Sequence, residues 1–141
     1  MGLDLEQVMV LLQRRYNFLR EIKRLTADLQ DAVSREDSVS AGLILQMRAD
    51  EMENIENCQE LIWRMAEEGQ RENEDIHRLM SGEFLSMAEG MSYEEDKILK
   101  LRKKTAALIK EIQDADKIVN KRAAGTRSFY KYNDTAPHEA L

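Results

Sequence analysis

The sequence predicts an all-α fold, an antiparallel bundle of three long helices with a short helical segment between the second and the third. Three observations predict it. Apolar residues recur at alternating intervals of three and four, the spacing of a helix face buried against other helices. The 141 residues contain a single proline, so little interrupts such helices. Hydrophobic residues make up 43% and aromatics only 6%, which leaves Leu, Ile, Met and Val to build the core. On length the chain is one domain, expected over residues 1–125, followed by a flexible C-terminal tail over 126–141. An elongated bundle has more surface than a sphere of equal mass, so marginal stability and homodimerisation are both expected.

The first helix should run from about Asp4, a candidate N-cap, to Ser34. Leu5, Val8, Leu12, Leu19, Ile22, Leu29 and Val33 mark its seam, with Arg15 and Thr26 as polar interruptions. Leu11, Phe18, Leu25 and Ala32 repeat every seven residues beside it and widen the apolar face. Residues 34–40 lose the pattern, and Asp37 or Ser38 can cap the next helix. So short a connection makes the two helices antiparallel neighbours, so residues 1–80 read as a helical hairpin.

The second helix should start near Ser38 and reach Glu68 or even Met80. Ile44, Ile55, Cys58, Ile62 and Met65 follow its seam, Leu61 adds to the face, and Arg48 and Glu51 occupy seam positions. Gly42 and Gly69 each weaken a helix by about 1 kcal/mol relative to Ala, which makes Gly69 a candidate bend. Residues 69–91 are irregular, with a short helix expected over Glu83–Glu89. The third helix is the best bounded. Ser92 and Glu95 spell a capping box, Gly125 is a stop, and Ile98, Leu101, Thr105, Leu108, Ile112, Ala115 and Val119 form the seam.

The net charge of −6 and the pI near 5.1 argue against general nucleic-acid binding. Acidic residues crowd 50–75 and basic ones 97–131, which predicts electrostatic pairing of the second and third helices. The basic stretch ending in Phe129-Tyr130-Lys131-Tyr132 is read as a solvated face rather than as a nucleic-acid surface. No apolar run approaches the roughly 18 residues of a membrane helix. MGLDLEQV lacks the basic and apolar regions of a signal peptide, and Glu6 breaks the myristoylation pattern, so a cytoplasmic protein is expected.

Chemistry-bearing motifs are scarce. Glu74-Asp75-Ile76-His77 holds one Glu-x-x-His, whereas a di-iron bundle needs two, and His138 lies in the tail. A surface histidine on an acidic helix is the simpler account. Cys58 lies among apolar seam residues, where an inert thiol is expected. Phosphate loops, zinc spacings and nucleophile elbows are missing. The expectation is a protein that is not an enzyme and uses no cofactor or metal.

Two stretches carry candidate partner-binding residues. Met80, Phe84, Leu85, Met87 and Met91 form a Met-rich segment that either adapts to varied partners or fills the open end of the bundle. Phe129, Tyr130 and Tyr132 place three aromatics in a basic tail, to dock back on the bundle or on a partner.

One resemblance spans most of the chain. Leu29-Gln-Asp-Ala-Val-Ser-Arg-Glu-Asp-Ser38, followed by Ile44-Leu-Gln-Met-Arg-Ala-Asp-Glu-Met-Glu-Asn-Ile55, is similar to the bacterial flagellar export chaperones of the FlgN and FliT type. Asn120 and the trailing Tyr130 and Tyr132 resemble the C-terminal part of that family. The resemblance implies a chaperone that holds late flagellar structural proteins, such as hook–filament junction or filament-cap proteins, before type III export. It further implies a client helix laid in an apolar groove and a C-terminal region that meets the export gate. The runner-up is a structural coiled-coil adaptor or homodimerisation module with no client.

Overall fold

The three- and four-residue periodicity becomes helix over nearly the whole of residues 2–125, the part of the chain that the computed structural model describes. The elements are α1 (Leu5–Ser34), α2 (Ser38–Met65), α3 (Gln70–Leu79), α4 (Gly82–Leu85) and α5 (Tyr93–Gly125), with a 3₁₀ turn over Ala66–Glu68. The described residues contain no strand, so the fold class is all-α. Three helices are long, at 30, 28 and 33 residues. The tail residues 126–141 lie outside the described chain.

The ends of α1 and α2 follow from local chemistry. Gln7 N–H donates to the Asp4 carboxylate at 3.1 Å, which makes Asp4 the N-cap of α1. At the other end Glu36 takes a left-handed conformation (φ 58°), Asp37 N–H donates to Ala32 C=O at 2.8 Å, and Glu36 N–H to Val33 C=O at 3.0 Å. This is a Schellman stop with glutamate where glycine is usual. Asp37 then caps α2, accepting from Ser40 N–H at 3.1 Å and from its hydroxyl at 2.6 Å. Those bonds hold its carboxyl below the usual range.

In the middle of the chain the expected bend at Gly69 is present, but the helices on either side of it differ from expectation. The second helix does not continue to Glu68 or Met80. It ends at Met65, tightens into the 3₁₀ turn and breaks at Gly69, whose backbone is fully extended (φ 174°, ψ 172°). A separate ten-residue helix, α3, follows. The short helix is also smaller than the expected Glu83–Glu89. Ser81 caps it by accepting from Phe84 N–H at 3.1 Å, and the Ser86 hydroxyl donates to Glu83 C=O at 2.8 Å where the helix ends.

The chain divides into two compact units. One comprises Met1–Phe18 with Asn54–Ala107. Its core joins Val8, Leu11 and Leu12 of α1, Ile62 and Met65 of α2, Ile76 and Leu79 of α3, Phe84 of α4, and Ile98, Leu99 and Leu101 of α5. The other comprises Leu19–Glu53 with Leu108–Leu141. Here Leu29, Ala32 and Val33 pack with Ala41, Val119 and Ala123, and Ile22 and Ile112 are also fully buried. Most of the expected apolar seam residues are buried, with Leu5, Phe18, Ile44, Ile55 and Ala115 only partly covered. Leu61 is a correction: Cys58, Ile62 and Met65 set the buried face of α2, and Leu61 turns outward.

Thr26, Thr105 and Arg48 meet their burial in two ways. Thr26 and Thr105 return their hydroxyls to the carbonyls one turn back, Ile22 C=O at 2.7 Å and Leu101 C=O at 2.8 Å. Arg48 forms a two-pronged bridge to Asp116 at 2.9 and 3.0 Å, with 11% and 13% of the two side chains exposed. The polarity of this one bridge is opposite to the average charges of the two stretches, 50–75 and 97–131. Here α2 supplies the cation and α5 the anion, because the seam positions, not the helices' average charges, face inward. Within the same unit Lys23 meets Glu111 at 2.7 Å, Gln30 donates to Ala115 C=O at 3.4 Å, and Arg122 donates to Ser34 at 2.9 Å. Rising numbers on α1 thus meet rising numbers on α5.

Two stability outcomes follow. Arg48→Ala leaves Asp116 buried without its partner and should cost about 3 kcal/mol in urea unfolding, whereas Arg48→Met with Asp116→Leu should be nearly neutral. Glu36→Gly relieves the left-handed glutamate and should stabilise the chain by about 1 kcal/mol, read as a higher Tm.

Candidate protein-binding surfaces

The segment joining α3 to α5 contains little regular structure, yet its backbone is tied at several points. Arg78 near the end of α3 grips Glu95 in the first turn of α5 through two bonds of 2.9 and 2.7 Å. Arg102, two turns further along α5, donates one NH group to Leu79 C=O at 2.8 Å and Ser81 C=O at 2.7 Å. Lys103 donates to Met87 C=O. Gly90 N–H donates to the Asp96 carboxylate at 3.0 Å. A Cβ at Gly90 would run into the Asp96 backbone, so the chain can approach α5 this closely only with glycine there. Ser92 caps α5 as expected, accepting from Glu95 N–H at 3.2 Å. The Glu95 side chain is committed to Arg78, an ion pair between helices that a purely local capping reading does not foresee.

These ties separate the Met-rich residues into two groups. Phe84 is fully buried, with Met80 packed against the same core and Leu85 half-buried. Met87 and Met91 face solvent, Met91 with 77% of its surface exposed, and Tyr93 beside them is equally open under the Lys97 ammonium at 4.4 Å from its ring. The filling and the presenting roles thus fall to different residues of one segment. Phe129, Tyr130 and Tyr132 lie outside the described residues.

A second apolar surface was not foreseen. Val39, Leu43 and Met47 recur every fourth residue on α2, and all three are exposed. The signal was available: no charged residue occurs from Ser38 to Met47 in a chain that is 34% charged. A seam of buried residues carries no information about the opposite face of its helix.

The remaining candidates behave as ordinary side chains. His77 is exposed, holds Asn73 C=O at 2.8 Å through Nδ1 and meets Trp63 edge-on at 5.1 Å. Cys58 is buried and burial pushes its thiol up, away from reactivity. Among the described residues no group of three or more His, Cys, Asp or Glu is placed to hold a metal ion. None of the described helices is long and apolar enough to cross a membrane. Comparison of the chain with protein-family models, curated proteins and solved structures finds no match.

The Arg78 bridge lowers the Glu95 carboxyl below its ordinary range and raises the guanidinium. A lowered carboxyl stabilises the fold above its unfolded value and loses that contribution as pH falls through the folded one. Acid titration followed by circular dichroism should therefore show stability declining below the ordinary carboxylate range. Glu95→Gln should flatten that decline while leaving the neutral-pH protein less stable than the native chain.

Proposed function

We propose that this chain is a cytoplasmic, non-catalytic export chaperone of the flagellar type, holding late flagellar structural proteins and delivering them to the type III export gate. The observation that carries the reading is the pinned loop with its exposed Met87 and Met91. Its backbone is fixed by Lys103 and by the Gly90–Asp96 bond, while flexible thioethers face outward. Such a surface loses little order when it is covered, and methionine shapes itself to varied apolar partners. An amphipathic helix of a client is the fitting ligand, its apolar face replacing solvent. In this proposal α1, α2 and α5 form one antiparallel bundle, and the residues Phe129, Tyr130 and Tyr132 meet the export machinery. The sequence similarity of residues 29–38 and 44–55 to such chaperones supports the class of client.

A second reading, a homodimerisation or adaptor module without a client, is favoured by the exposed Val39, Leu43 and Met47. Titration against the terminal segments of hook–filament junction and filament-cap proteins separates the two. The chaperone reading expects a stoichiometric complex with at least one of them. Met87→Glu with Met91→Glu should weaken it by at least about tenfold while leaving the unfolding midpoint unchanged, since neither side chain is in the core. Absence of binding to any late axial protein would overturn the reading.

A further inference from the structure

Arg15 interrupts the α1 seam and, unlike Thr26, finds no partner among the described residues. Its side chain is half-buried, and its Nε is fully buried without a hydrogen bond. Arg48 also leaves its Nε unbonded, but its NH groups hold the Asp116 carboxylate. Arg15 has no such carboxylate. Burial first, and the neighbouring Arg102 guanidinium second, hold it below the usual arginine range.

Arg102 approaches from α5. One of its NH groups is spent on the Leu79 and Ser81 carbonyls, which holds the guanidinium in place and leaves the other NH group unbonded. No carboxylate meets it either, and burial alone lowers it. The two helices are neighbours here, since Leu12 and Leu101 share one core and the Lys104 ammonium stands 4.7 Å from the Tyr16 ring. On the α2 side lies Cys58, whose buried thiol feels the charges of Arg14 and Arg15. All of these residues belong to the same compact unit. We propose that Arg15 and Arg102 form a two-guanidinium site for an oxyanion, supplied as the carboxylate of an acidic side chain on a bound partner or as free phosphate.

The chemistry selects this class of ligand. A guanidinium withdrawn from water without a partner is costly, and a second one beside it raises the cost. The chain has 27 acidic residues against 21 basic ones, yet no described carboxylate is placed against this pair. An anion brought from outside offsets both charges at once. A guanidinium fork presents parallel N–H groups that match two oxygens of a carboxylate or a phosphate, and its sign excludes a metal cation. In a molecule of net charge −6, such a pair is also a local attractor for anions. The proposal does not rest on the chaperone reading, because free phosphate would occupy the site with no client present.

The test is an NMR titration of the full chain labelled with 15N, following the arginine Nε–H signals at constant ionic strength. With inorganic phosphate the Arg15 and Arg102 signals should move together and saturate, and with sodium chloride they should not. A helical Ala-rich peptide carrying one Glu, compared with its Gln counterpart, is the second probe. Saturation by the Glu peptide alone assigns the site to a partner's side chain, and saturation by phosphate assigns it to the free ion as well. Arg15→Met should fold with a higher Tm in chloride, since it removes an unpaired buried charge, and should weaken binding at Arg102 by more than tenfold. Arg15→Lys keeps the charge without the fork and should bind several-fold more weakly, which carries the comparison if the Met variant does not fold. Phosphate should raise the Tm of the native chain more than that of either variant. No saturable shift with either probe overturns the proposal. So does an Arg102 signal that saturates at the native concentration in both variants.

Discussion

Burial of the α5 seam is the constraint on which the rest of this structure depends. One helix contributes Ile98, Leu99 and Leu101 to the core of one unit and Val119 and Ala123 to that of the other, with Leu108 and Ile112 buried between them in sequence. A helix of 33 residues in a chain that is 34% charged gains little from propensity alone. It persists because each three- or four-residue step returns an apolar side chain to a packed environment. Thr105 shows how strict that requirement is. A hydroxyl in the seam is accepted only because Leu101 C=O takes its proton one turn back.

The polar framework works around the seam rather than against it. Arg48 sits where an apolar residue would be expected, and Asp116 beside the α5 seam balances its charge. Such a pair adds little to net stability compared with a well-packed hydrophobic pair, but it penalises any register in which only one partner is buried. Arg78 with Glu95 and Arg102 with two carbonyls do similar work at the α3–α5 junction, where apolar contact alone leaves a loop unfixed. The consequence for function is a division of labour within one short segment. Phe84 anchors it, the arginines and Lys103 hold its backbone, and Met87 and Met91 are left free to be covered.

Much of this was legible in the residues, and the reasons differ by element. The α1 boundaries, the Asp37 cap and the Ser92 start of α5 follow from local hydrogen-bond chemistry that sequence spells out directly. The seams follow from periodicity. Gly69 was legible as a bend from its glycine alone, but periodicity could not place the helix ends around it, because Glu67 to Asp75 holds no apolar residue. The polarity of the buried bridge was not legible for a related reason. Average charge along a helix describes its solvated faces, whereas the buried bridge is decided by the seam residue Arg48 and by Asp116 next to the seam. The exposed row at Val39, Leu43 and Met47 was missed because attention to a buried face says nothing of the opposite one. Its clue was the lack of charge over Ser38–Met47.

A structural seam and a pinned Met-rich loop that is proposed to hold a client make opposite demands on amide protection. Amide hydrogen exchange of the native chain, with and without the amphipathic terminal segment of a late flagellar axial protein, tests this most directly. The account predicts that added segment slows exchange over Gly82–Tyr93 while the already protected amides from Ile98 to Ile112 change little. Slowed exchange elsewhere with Gly82–Tyr93 unaltered would contradict it.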